Sequence, residues 1–124
     1  MICSDTSSFI AFLHGETGHD VDLITEALGR RQLTLAPASV SELLSYPALP
    51  GTMQDLILKT PLLEVTPGYW ERAGRTRALL IQHQYRPKIA DTLIAQSCLD
   101  HDVPLITRDE DFKSFEKLAG LRLL

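Results

Sequence analysis

Aromatic side chains make up only 6% of the 124 residues, and cysteine occurs twice. So few aromatics leave no stacking platform of the kind that grips single strands by their bases. Cys3 and Cys98 lie in apolar stretches without metal-ligand spacing. They read as buried thiols in a reducing cytoplasm. No apolar run approaches the ~18 residues of a membrane span, and residues 1–5 carry no basic region, so neither anchor nor export signal is expected. Positive charge is also scarce: 12 Lys and Arg against 16 Asp and Glu give a net charge of −4. Proteins that bind nucleic acid by bulk charge are strongly basic. Any contact with a polyanion must therefore be local, through a metal ion or a small basic patch. The 44% hydrophobic and 23% charged content excludes disorder, collagen and coiled coil. The length fits one domain, 1–124, with a core of its own.

Common catalytic signatures are absent as well. There is no glycine-rich phosphate loop and no H-E-x-x-H, and His14, His19, His83 and His101 share no ligand spacing. Asp109-Glu110-Asp111 opens like a calcium loop, but Lys113, Ser114 and Gly120 occupy positions that need other residues. No nucleophile elbow precedes a serine. Ser7 stands where an aspartyl phosphatase would carry a second Asp.

What is present is an alternation of strand and helix signals. Strands are expected at 2–4, 33–36, 62–65, 103–107 and 121–124. Thr6, Ser7 and Ser8 offer capping hydroxyls before an apolar helix at 9–13, and a second helix carries Val21, Ile24, Ala27 and Leu28. Ser39 with Glu42 has capping-box spacing. A weak helix falls at 54–59, Thr66-Pro67 starts a long helix reaching about Gln84, and further helices cover 89–99 and 109–118. Such alternation implies an α/β fold, a parallel sheet with helices on both faces.

The carboxylates stand in telling places. Asp5 follows the first strand and Asp109 the fourth. Ligands of open parallel sheets bind outside the carboxyl ends of strands, where strand order reverses. Glu42 and Asp91 fall in first turns of helices able to line that end. Each alone is explained as a cap or dipole partner, but with the strand-end pair they form a cluster. Converging carboxylates either rise in pKa or bind a cation. Hard oxygen ligands suit Mg²⁺ or Mn²⁺, and such a site supports metal-assisted hydrolysis of a phosphodiester.

Segments 4–7, 38–44, 89–95, 104–112 and 120–123 together resemble the PIN domain. In size and local sequence the chain resembles the VapC-type toxins of bacterial toxin–antitoxin pairs. The resemblance implies a three-layer α/β/α fold with a five-stranded parallel sheet of order 3-2-1-4-5. It implies that Asp5, Glu42, Asp91 and Asp109 hold Mg²⁺ or Mn²⁺, and that Thr6 and Thr107 orient ligands or water. Asp111 reads equally as an auxiliary acid or a helix cap. The implied activity is endonucleolytic RNA cleavage by a metal-activated water, with Asp91 or Glu42 helping to deprotonate it. The implied partners are RNA, an antitoxin protein and a second copy of the chain, in the cytoplasm. A nuclease of RNA processing or DNA, or a non-catalytic binding module, are the alternatives. Arg108, beside Asp109, is the foremost expected phosphate contact, with Arg86 and Lys88 behind it. Arg72 and Arg75 read as the solvated face of a long helix. Residues 87–93 and 47–61 depart from the family pattern.

Overall fold

The computed structural model describes residues 1–124. In chain order the elements are β1 (Ile2–Ser4), α1 (Thr6–Leu13), α2 (His19–Gly29), β2 (Leu33–Leu35), α3 (Pro37–Leu44) and α4 (Gly51–Lys59). There follow α5 (Tyr69–Gln82), α6 (Ile89–His101), β3 (Leu105–Ile106), a 3-10 turn (Glu110–Phe112) and α7 (Lys113–Ala119). No helix is long and apolar enough to cross a membrane.

The sheet is parallel and runs β2-β1-β3. It has three strands, not the expected five. The segments at 62–65 and 121–124 lie at its two edges, where each adds one parallel bridge, Leu35 to Leu62 and Leu105 to Leu123. The reason is local. At one edge Leu63 is buried while Leu62 and Val65 are 46% and 43% exposed, so a single residue faces the core. At the other, only Leu121 is buried, and the Arg122 guanidinium turns away to Asp102. A parallel strand needs both faces covered, and these apolar segments are covered on too little of their surface to extend.

The strands alternate sides as a pleat requires. Cys3 and Leu105 join Ile94, Cys98, Phe112 and Phe115 in one buried cluster, beneath α5, α6 and α7. Ile106 joins Phe9, Ile24, Leu35, Leu43 and Ile57 in the other, beneath α1 to α4. This is an α/β/α arrangement, with α1 spent on the core through Phe9 and Ala11. Both thiols are buried and free as expected. The neighbouring Cys3 thiol, together with burial, pushes the Cys98 thiol well above the usual range.

Three helix starts differ from expectation. α1 is capped by Asp5, whose carboxylate accepts the Ser8 amide, so the hydroxyls lie inside the helix. α3 starts at Pro37 with Ala36 as cap, because proline's fixed φ and missing N–H suit the first helical position. The Ser39–Glu42 capping box therefore does not form; Ser39 is buried with its hydroxyl unpartnered, and Glu42 falls in the second turn. α5 begins after Gly68 in the left-handed region (φ 84°), three residues beyond Thr66.

α6 is buried on most sides, and its polar groups are used internally. Tyr69 donates from Oη to the Leu93 carbonyl (2.7 Å), and Thr76 donates to Gln96 (2.6 Å). Arg72 donates through Nε and Nη2 to both oxygens of Asp100 at 2.9 and 2.7 Å. Arg72 thus fastens α5 to α6 and does not belong to a freely solvated face.

Candidate active site

Strand register places the site. Ser4 stands opposite Leu35 on one side and Ile106 on the other. Asp5 and Thr107 are therefore the first residues past two adjacent strand ends. The Asp5 amide donates to the Ile106 carbonyl at 3.0 Å, closing the ladder. Immediately beyond it, Thr107 donates from Oγ1 to Asp5 Oδ2 at 2.5 Å and accepts from the Asp109 amide at 2.9 Å. One hydroxyl thus joins the first acid to the backbone of the last.

Asp5 is only 2% exposed. Its Oδ1 takes the Ser8 amide at 2.8 Å, and Oδ2 also takes the Ser7 hydroxyl at 2.8 Å. Burial raises its pKa against the pull of these donors. Glu42 accepts the Thr6 hydroxyl on Oε1 at 2.6 Å, so the residue after Asp5 tethers the acid on α3.

Asp91, in the first turn of α6, differs in kind. It is 9% exposed, and no protein group donates a hydrogen bond to its carboxylate. Burial is the main cause that pushes its pKa up to about 6, aided by the charges of Asp109, Glu42 and Asp111 and opposed by Lys88. Asp109 caps the 3-10 turn, its Oδ1 accepting the Asp111 amide at 2.9 Å. Asp91, Asp109 and Asp111 each bring one carboxylate oxygen into a group whose members all lie within 4.8 Å of one another. Asp5 and Glu42 stand outside that group. Asp111, read from sequence as acid or cap, is within it, while the capping is done by Asp109.

None of the three is ion-paired to a lysine or arginine. Three hard oxygen donors converging without an ion pair among them are chemically matched to Mg²⁺ or Mn²⁺. The mutual repulsion visible in Asp91 is what a divalent cation would relieve.

The basic residues separate into two sets. Arg108 is turned away from the acids. Its Nε and Nη2 donate to Asp20 at 2.7 and 3.1 Å, Nη1 donates to Glu16 at 3.2 Å, and Nη2 reaches the Thr17 carbonyl at 3.4 Å. This holds Asp20 down at about 2. Arg86 and Lys88, by contrast, line a cavity of about 310 Å³ with Asp91 and Asp111. Lys113 and Lys117 line it too. They were not singled out in the sequence; their i, i+4 spacing directly after Asp111 is the signal that marks them.

The family model described as "PIN domain" matches residues 2–118. A crystal structure of FitAcB from Neisseria gonorrhoeae is similar with a TM-score of 0.70 and 19% identity, covering 100% of this chain and 96% of that one. A structure of FitAB bound to an IR36 DNA fragment gives 0.72 and 18%, covering 100% and 94%. No curated protein sequence matches.

Proposed function

Because the chain belongs to the PIN domain family, whose members are generally nucleases, we propose that it is a metal-dependent endoribonuclease. In this reading it is the toxin of a type II toxin–antitoxin pair and hydrolyses RNA phosphodiester bonds. The observation that carries the proposal is the group formed by Asp91 of α6 with Asp109 and Asp111 just past β3, within 4.8 Å and with none of the three in an ion pair. Those three residues would hold Mg²⁺ or Mn²⁺. When bound, such an ion lowers the pKa of water and offsets charge on the phosphate.

The chain's own groups do the rest. Asp5, saturated by hydroxyl and amide donors, fixes Thr107, and Thr107 fixes the Asp109 backbone. Thr6 holds one oxygen of Glu42. The other oxygen is left to accept the proton of the attacking water, a general-base role. Arg86 and Lys88 receive the substrate phosphate beside the acids. An exposed apolar surface supports a protein partner as well. Ala38, Val65, Trp70, Ile89 and Leu93 line a mostly apolar groove of about 360 Å³ that Glu42 also lines. Trp70 and Ile89 there are 62% and 58% exposed. We assign this groove to the antitoxin or to a second copy of the chain.

The test is Asp109→Asn, which keeps the Oδ1 acceptor that caps the 3-10 turn and removes the charge. The variant is expected to fold, to lose Mn²⁺-dependent RNA cleavage, and to relieve growth arrest on expression. Equal cleavage and equal arrest by wild type and variant would refute the reading.

A further inference from the structure

α5 ends in a left-handed turn that leads into the segment before α6. Gln84 adopts a left-handed backbone conformation, φ 72°, at a residue that is not glycine. Its neighbour Tyr85 is anchored by its amide to the Leu80 carbonyl at 3.0 Å. Two residues on, the Pro87 carbonyl accepts Nε of Arg77 at 3.0 Å. The turn at Gln84 is the ordinary left-handed stop of a helix, with the Gln84 amide on the Ile81 carbonyl and the Tyr85 amide on the Leu80 carbonyl. The turn leads directly into Tyr85 and Arg86, which two cavities have in common. On one side is the 310 Å³ cavity that contains Asp91 and Asp111. On the other is a cavity of about 420 Å³ bounded by Arg77, Ile81 and Gln84. Tyr85 and Arg86 line both.

The chemistry along this path is ordered. Next to the acids, Lys88 from one wall and Lys113 and Lys117 from α7 surround the first cavity. Lys113 pairs with Glu110, but the side chains are 66% and 77% exposed, so the pair is weak and the ammonium is available to another anion. Between the two cavities, Tyr85 and Arg86 are shared by both linings. A backbone of cations spaced along a groove, with an aromatic face between them, is how proteins hold a polynucleotide strand whose bases are unstacked.

We infer that the two cavities flanking Tyr85 and Arg86 are consecutive nucleotide subsites for a single-stranded polynucleotide. One phosphate lies among Lys88, Lys113 and Lys117 beside the acids, the next lies on Arg86, and the base between them stacks on Tyr85. This rests on the nuclease reading and adds to it the path of the strand away from the acids. It also gives a use to one aromatic in a chain too poor in them for a platform. A duplex cannot use the path, because its bases are stacked on one another and cannot reach the ring.

The experiment measures binding of labelled eight-residue single-stranded RNA, single-stranded DNA and a duplex to the full chain across a salt series. Ca²⁺ serves as the cation, taking oxygen ligands in place of Mn²⁺. Tyr85→Ala is expected to weaken single-strand binding about tenfold or more, with Tyr85→Phe close to wild type. The double variant Lys113→Gln/Lys117→Gln is expected to lower the log–log salt slope by roughly 0.7 for the phosphate it releases. Tighter binding of RNA than DNA, or equal binding of the two, both support the subsites; the first adds sugar discrimination. Duplex bound as tightly as single strand, or Tyr85→Ala at wild-type affinity, overturns them. Cleavage assays in Mn²⁺ separate this from the parent reading. Strand binding sensitive to Tyr85 without any cleavage removes the nuclease and leaves the subsites. Cleavage with an unchanged KM in Tyr85→Ala removes the subsites and leaves the nuclease.

Discussion

Replacing Asp91 with Asn removes a charge that the metal-free fold holds at a disadvantage. The carboxyl rises from 3.8 to about 6, chiefly through burial and secondly through the charges of Asp109 and Glu42. For an acid, a raised folded pKa means that the native state binds the proton more tightly than the unfolded chain. Stability therefore falls as pH rises from about 4 to about 6, and the full cost is present above that window. A shift of this size corresponds to about 3 kcal/mol at most. The carboxylate keeps some contact with water, and the Asn amide loses hydration in its turn, so a net gain of about 1–2 kcal/mol is expected. For a domain of this length that is roughly 4–8 °C in melting temperature. The assay is a thermal or urea melt with chelator at pH 7.5 and again at pH 4. Asp91→Asn is expected to be the more stable protein at pH 7.5, and the gap is expected to close at pH 4. Mn²⁺ at a hundredfold excess over its Kd adds about 2.7 kcal/mol to the wild type and little to the variant, so the order inverts. A variant less stable than wild type in chelator at pH 7.5, or stabilised equally by Mn²⁺, would show that Asp91 carries no electrostatic strain and holds no cation.

Two further outcomes follow from the same geometry. Thr107→Val removes the donor to Asp5 and the acceptor of the Asp109 amide; a loss of about 1–3 kcal/mol is expected in urea titration at neutral pH, with Mn²⁺ binding weakened in parallel. Arg108→Gln releases Asp20, whose depressed pKa of about 2 contributes stability above about pH 4 that is lost as pH falls through 2. With the guanidinium 35% exposed, a cost of about 1–2 kcal/mol is expected at pH 7, and acid titration is expected to bring the two proteins together near pH 2.

The parallel sheet and its two helical layers were legible in the sequence because strands buried on both faces are apolar runs and the helices between them keep their period. The sheet edges were not, since 62–65 and 121–124 are as apolar as β2 yet bury only Leu63 and Leu121. That depends on what covers each edge, which no local pattern records. Helix starts failed where two capping signals competed. Pro37 and Ser39 both mark a beginning, and only tertiary burial of Ser39 decides between them. Asp5 and Asp109 were found as strand-end acids, yet the structure gives both a capping duty as well. Asp111 was ambiguous because its fate is set by where the 3-10 turn points it. Arg108 sits next to Asp109 in sequence, but consecutive residues leaving a strand point to opposite sides, and its partners Asp20 and Glu16 lie some ninety positions earlier.

The hydrogen bond between Thr107 and Asp5 joins residues 102 positions apart. β1 is the central strand, and it gains β3 as a neighbour only after β2 and the six helices α1 to α6 have been laid down. Such long-range closure comes late and slowly in folding. A chain translated only to residue 100 would possess Asp5, Glu42 and Asp91 but neither Asp109 nor Asp111, and would lack Val103, Leu105, Phe112, Phe115 and Leu121 of the core beneath α6. The acids therefore cannot assemble on a nascent fragment. Hydrolytic competence, on the function proposed above, begins only once synthesis has passed the strand that completes the sheet.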